Sequence, residues 1–173
     1  MGMDHQIVLS GTNVALAVMT EADQPMFFEW LQNPLLREQI DDARIPTMKD
    51  QKKWFFRVQE PDRKFFSLVT VPNGMLIGNC GFVDIDPSSN EATLRITIGD
   101  SASHGKGYGT EAVGLLLKHG FEGMGLQRIF LKVLKSNLRA VRTYEKAGFI
   151  VLSENIENDK AILTMSIQNP RTV

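Results

Sequence analysis

The spacing of apolar residues changes repeatedly along the chain, and each change marks a change of predicted element. Ile7 to Leu9 and Val14 to Met19 are short apolar runs around the turn-forming Ser10-Gly11-Thr12-Asn13, which predicts two strands. Helical spacing follows. Thr20 with Asp23 forms a capping-box-like start, Phe27, Trp30 and Leu31 supply an apolar face, and Asn33-Pro34 stops the helix. Leu35 to Ile40 is a second short helix. Thr47 with Asp50 opens a third, whose Gln51, Trp54, Phe55 and Val58 share one side and which ends by Pro61. From Lys64 the period falls to two. Phe65 to Val71, Leu76 to Asp86 and Glu91 to Ile98, separated by Pro72-Asn73-Gly74 and Pro87-Ser88-Ser89-Asn90, predict an antiparallel meander.

Beyond the meander the period lengthens again. A helix from Gly107 to about Glu122 carries Val113, Leu116, Leu117, Phe121 and Met124 on one stripe. Gln127 to Leu134 is a strand rich in Ile, Leu and Val, and the intervening helix implies that it runs parallel to the strand ending at Ile98. Ser136 or Asn137 starts a further helix in which Asn137, Ala140, Val141 and Tyr144 share a face, with Gly148 suited to a left-handed cap. Phe149 to Glu157, Asn158-Asp159 and Lys160 to Ile167 read as a closing hairpin. Its exposed edge makes a homodimer an expectation.

Composition narrows the picture. The chain has 173 residues, 43% of them hydrophobic, which fits a single domain over residues 1–173 with a full core. A net charge of −1, without a basic cluster, gives no argument for nucleic acid or an anionic membrane as partner, and leaves a small molecule or peptide. The single cysteine, Cys80, excludes an internal disulfide, and with only three scattered histidines there is no metal-ligand spacing. Cys80 lies between Gly78 and Phe82 in the middle strand of the meander, so a core role is expected rather than that of an acetyl-carrying thiol. No signal-like N-terminus, membrane-length apolar run or myristoylation motif is present, and a cytoplasmic location is expected.

The candidate chemistry centres on His104-Gly105-Lys106-Gly107-Tyr108-Gly109-Thr110. A helix N-terminus leaves about four N–H groups unpaired and carries about half a positive charge, so a turn stripped of side chains lets an anion reach the backbone. A phosphate or pyrophosphate is the obvious anion. A Walker loop is excluded because Gly107 follows Lys106. A dinucleotide fingerprint fails as well, since Thr110 replaces its third glycine and Leu134-Lys135 stands where a ribose-binding acid belongs. A plain helix-entry turn remains the alternative.

A second segment decides between them. Asn137, Ala140, Tyr144, Gly148 and Phe149 follow the pattern Asn-x-x-Ala-x-x-x-Tyr-x-x-x-Gly-Phe, and with the glycine turn at positions 104–109 the chain resembles the GNAT superfamily of acyl-CoA-dependent N-acyltransferases. Trp30-Leu31-Gln32-Asn33-Pro34, Ile98-Gly99-Asp100 and Gly105-Lys106-Gly107-Tyr108 look like the branch containing ribosomal-protein N-terminal and polyamine acetyltransferases. With the elements above, the resemblance implies a GNAT-like α/β (α+β) fold, a mixed, mostly antiparallel sheet of about seven strands flanked by about four helices with a central parallel pair. His104 departs from the family's usual Arg or Gln.

The resemblance implies an N-acetyltransferase that moves the acetyl group of acetyl-CoA (coenzyme A) to a primary amine. The backbone of Gly105, Lys106, Gly107, Tyr108, Gly109 and Thr110, beside His104, would take the pyrophosphate. Ile96 and Ile98 would pair with the pantetheine arm, Asn137 would touch it from the other side, and Arg142 would meet the 3′-phosphate unless it is an ordinary surface arginine. Tyr144 is the expected catalytic acid for the departing thiolate, against the alternative of a half-buried core tyrosine. Glu29, Glu38, Asp41 and Asp42 are candidates for the amine site. The general base is unassigned, because Glu91, the nearest acid on the strand before the turn, lies at its far end. A coenzyme-binding sensor without catalysis and a nucleotide-binding module are the alternatives.

Overall fold

The structure, a computed structural model, describes residues 5–40 and 44–171. The elements run β1 (Ile7–Ser10), β2 (Val14–Val18), α1 (Gln24–Leu31), α2 (Pro34–Gln39), α3 (Met48–Arg57), β3 (Lys64–Thr70), β4 (Leu76–Asp86), β5 (Glu91–Ile98), α4 (Tyr108–Lys118), β6 (Arg128–Leu134), α5 (Leu138–Lys146), β7 (Ile150–Glu157) and β8 (Lys160–Gln168). One eight-stranded sheet has the order β1-β2-β3-β4-β5-β6-β8-β7. The expected parallel pair is β5–β6, and every other pairing is antiparallel. The described residues thus hold eight strands and five α-helices, the elements that the periodicity marks out one by one and one more of each than the family resemblance implies.

Helix starts follow local chemistry. At α3, Asp50 N–H donates to Thr47 Oγ1 at 3.2 Å and Thr47 N–H to Asp50 Oδ2 at 2.8 Å, a reciprocal box. Pro34 ends one helix and begins the next: it occupies the first position of α2, and Asn33 Oδ1 accepts from Leu35 N–H at 3.0 Å. The helix expected to reach Glu122 stays α-helical only to Lys118. It then widens to a π turn over His119–Gly123, where Met124 N–H reaches His119 O at 3.0 Å.

The sheet is covered on both faces. Val14 and Leu16 of β2 belong to a large core that includes Val113 and Leu116 of α4 and Tyr144 of α5; Ala15 and Ala17 turn the other way, against Phe27 of α1, with Trp30 and Trp54 packed around them. A strand buried on both faces explains why β2 is a continuous apolar run rather than an alternating one. Cys80 is wholly buried in the larger core, as its position in the meander predicts. No helix among the described residues is long and apolar enough to cross a membrane, and no cluster of metal-ligating side chains occurs among them.

Candidate active site

The parallel pair creates the site by ending early. Residue pairing between β5 and β6 covers only Glu91↔Arg128, Ala92↔Ile129 and Thr93↔Phe130, yet β5 stays paired to β4 as far as Gly78↔Ile98 and β6 to β8 as far as Leu134↔Ile162. The strands therefore part beyond Thr93, at their carboxyl ends. Gly99 N–H donates to Ile77 O at 3.0 Å, which makes Gly78↔Ile98 a non-hydrogen-bonded pair and turns the backbone groups of Leu94, Ile96 and Ile98 away from β4, into the gap. Ile98 O is already taken by the His104 ring, whose Nε2 lies 2.9 Å away. His104 thus braces the strand end.

A cavity of about 530 Å³ occupies this wedge. Ile96, Ile98, His104, Gly105, Gly107, Tyr108, Gly109, Thr110, Asn137 and Tyr144 line it, so residues separated along the chain by the whole β5–α5 segment meet on one wall. Gly105 and Gly107 hold φ of +74° and +81°, left-handed values that set the turn at the start of α4. Among the described residues no backbone acceptor faces the N–H groups of residues 105–110; the first bond of the helix is Glu111 N–H to Gly107 O at 3.1 Å. These amides can receive an anion.

Gly109 tests whether a ligand belongs there. Its φ needs no glycine, and an added Cβ would meet nothing closer than Ile98 Cδ1 at 3.5 Å, ordinary contact. Neither backbone nor packing demands a missing side chain, and the space is left to whatever enters the cavity. The residues fit a phosphate-bearing ligand with an amide-rich arm laid along β5.

Asn137 has two duties. Its Oδ1 caps α5 by accepting from Ala140 N–H at 3.2 Å, which leaves the side-chain NH2 as its free donor. Tyr144 is 8% exposed and packs edge-on to Phe149 at 5.9 Å, with no hydrogen bond to its hydroxyl among the described residues. Burial pushes the phenol up to about 12, and the cation of Arg95 opposes that rise.

Other sequence candidates stand elsewhere. Lys106 and Arg142 are exposed and do not line the cavity. Glu29 on α1 and Glu38 on α2 are likewise exposed and off its wall, while Asp41 and Asp42 lie outside the described residues. Glu91 sits at the closed end of the wedge, its Oε1 3.9 Å from Arg128 Nε. The cavity instead recruits residues that the sequence reading passed over: Arg95 and Thr97 of β5, Leu36 and Gln39 of α2, Lys132 of β6 and Glu157 of β7. Alternation along β5 was the available signal, since it puts Arg95 and Thr97 on the face opposite Leu94 and Ile96.

Comparison with known proteins agrees with this geometry. A family model described as an acetyltransferase (GNAT) domain matches residues 13–150. An N-acetyltransferase 9-like protein of Nematostella vectensis is 24% identical over 168 residues, 90% of this chain and 83% of its own. Aminoglycoside N(6′)-acetyltransferase type 1 of Klebsiella pneumoniae is 28% identical over 152 residues, 81% of this chain and 75% of that one. The structure of spermidine N-acetyltransferase from Vibrio cholerae in complex with CoA and spermine superposes with a TM-score of 0.83 at 18% identity, over 90% of this chain and 95% of that one, a likeness of fold. With the family match spanning the glycine turn, the wedge and the α5 motif up to Ile150, the chain belongs to the GNAT acetyltransferases.

Proposed function

We propose that the protein transfers the acetyl group of acetyl-CoA to a primary amine, on a protein N-terminus, a polyamine or an amino-sugar, by direct attack, with Tyr144 as the proton donor to the departing sulfur. One observation carries this reading: residues 105 and 107–110, whose amides are unpaired, and the buried Tyr144 line the same cavity. The names of the relatives, which act on aminoglycosides or spermidine, support an amine acceptor. In the reaction the amine nitrogen forms a bond to the thioester carbonyl carbon, the carbon–sulfur bond breaks, the nitrogen gives up a proton to solvent and the sulfur takes one.

The chain's part is positional and electrostatic. Backbone amides of residues 105–110 would hold the pyrophosphate, with Lys106 and Arg142 on the outer surface for the remaining charge. The backbone of Ile96 and the N–H of Ile98 would pair with the amides of the pantetheine arm, and the Asn137 NH2 would donate to it as well. Tyr144 stays protonated throughout the neutral range, because its phenol sits at about 12. Complete transfer to a thiolate whose parent thiol titrates at about 8.5 is uphill by about 5 kcal/mol. The phenol therefore works first as a hydrogen-bond donor to the developing charge, and Arg95, which favours the phenolate, narrows the gap.

The test joins binding to turnover. Acetyl-CoA should raise Tm while ATP and NAD do not. Thiol release from acetyl-CoA should depend on added amine. Stabilisation without release for any amine would leave a coenzyme-binding sensor, and stabilisation by ATP or NAD would leave a nucleotide-binding module. At the assembly level, β7 is the edge strand and Ile150, Leu152 and Ile156 are 64%, 50% and 69% exposed, which supports pairing with a second copy into a homodimer.

A further inference from the structure

The wall of the wedge carries a charge that no carboxylate among the described residues neutralises. Among the described residues the charged side chains on the cavity wall are Arg95, Lys132, Arg139 and Glu157. Lys132 is neutralised by Glu157, Nζ to Oε1 at 2.9 Å. Arg139 lies in the first turn of α5, two residues after Asn137, at the end of the helix assigned to the coenzyme. Arg95 remains: it is exposed, has no carboxylate within ion-pair distance among the described residues, and points with Thr97 to the sheet face opposite Leu94 and Ile96. Its charge reaches Tyr144. A guanidinium with no carboxylate partner among the described residues therefore lines the cavity that Tyr144 also lines.

We propose that Arg95 selects the acceptor, and that the acceptor is a primary amine carrying a carboxylate a few bonds from the reacting nitrogen, as in a peptide N-terminus with an acidic residue at its start or a free amino acid. The inference rests on the acetyltransferase reading of this cavity. A guanidinium offers a planar fork of N–H donors that matches a carboxylate, and bound in that way the acceptor presents its nitrogen into the wedge. A polycation meets the reverse situation. Its charges are repelled by Arg95, and among the described residues the candidate acids that could attract it, Glu29 and Glu38, lie off the cavity wall. The α-amine of a peptide also fits a site without an assigned base. With a pKa of about 7.7–8.0, an appreciable fraction is neutral near pH 7.5, whereas an aliphatic amine near 10 must first be deprotonated.

The experiment is a kcat/KM comparison across paired acceptors: two short peptides identical except for Glu or Lys at the second position, free glutamate, and spermidine. Wild type should favour the Glu peptide or glutamate over the Lys peptide and spermidine by about tenfold or more, and the stronger of those two arms identifies the source of the carboxylate. Arg95→Ala should erase the preference through KM, Arg95→Glu should invert it, and Arg95→Lys should keep part of it, each with the Kd for acetyl-CoA within about twofold of wild type. Preference for spermidine by the wild type would overturn the proposal. So would a loss of acetyl-CoA affinity in Arg95→Ala as large as the loss toward acceptor, which would make Arg95 a coenzyme residue. Absence of thiol release from wild type with every acceptor would instead remove the acetyltransferase reading and this proposal with it, an outcome set apart by failing before any variant is compared.

Discussion

Gly105 and Gly109 occupy the same turn under different constraints, and the difference is measurable. Gly105 holds φ of +74° with open space where a Cβ would go, so Gly105→Ala places strain in the backbone of about 1–2 kcal/mol and should lower Tm. Gly109 has no such φ and lies in the first turn of α4. Gly109→Ala should leave Tm unchanged or raise it slightly, since alanine is worth up to about 1 kcal/mol over glycine in a helix, while weakening acetyl-CoA binding by tenfold or more in calorimetry. Unchanged affinity would show that nothing binds over this turn. Tyr144→Phe removes only a hydroxyl from a buried ring, so coenzyme affinity should hold while kcat falls at least tenfold. Equal turnover would end its role as acid. Cys80 has a different fate: burial drives its thiol far up, and it should resist alkylation until the protein unfolds.

At the scale of elements, the N-terminus of α4 must be held in place for its amides to converge, and Glu111 does this from within the helix. Its carboxylate accepts from Asn13 N–H at 2.8 Å, Asn13 Nδ2 at 2.9 Å and Val14 N–H at 3.5 Å, tying α4 to the β1–β2 turn. Partial burial works against the charge, but the hydrogen bonds from this turn outweigh it and hold the carboxyl below its ordinary value. A lowered folded pKa gives stability that is present above the unfolded carboxyl pKa, about 4.3, and lost as pH falls below it through the lowered value. Glu111→Ala should cost about 1–3 kcal/mol in urea unfolding at pH 7 and less at pH 3, with a parallel loss of acetyl-CoA affinity. Stability lost without affinity would mean that α4 keeps its place unaided.

Across the whole molecule, the cavity depends on burying a titratable ring inside the main core, and that has a cost at high pH. The unfolded tyrosine titrates at about 10 and the folded one at about 12, so the stability contributed by keeping Tyr144 neutral is fully present below pH 10 and disappears as pH rises to 12. At pH 11, wild type should lose about 1 kcal/mol more, relative to pH 8, than Tyr144→Phe does. Identical losses would place the phenol in water. The exposed edge of β7 leads to a second expectation at this scale. Sedimentation should show a dimer, and Ile156→Lys, on a face that is 69% exposed at this residue, should shift it to monomer without lowering the Tm of the monomer.

Local physics was enough for most of the elements. The Thr47–Asp50 box, Asn33-Pro34, the two-residue period of the meander and the glycine turn each act within a few residues, so the sequence by itself determined β3 to β5, the start of α4 and the amides at residues 105–110. It also determined that Asn137, Ala140 and Tyr144 share a helix face, because 3.6 residues per turn leaves no other arrangement. Tertiary structure alone decided where β5 and β6 part, since pairing that stops at Thr93↔Phe130 depends on which neighbours the two strands keep. That parting turns Ile96 and Ile98 into an open edge, and the wall around it also holds Leu36 and Gln39 of α2 and an Arg95 with no carboxylate partner among the described residues. Charge spacing along a chain cannot foretell such pairing. Glu91, Glu154 and Glu157 all lie within reach of cations in three dimensions, and only the packed sheet chooses which cation each one meets.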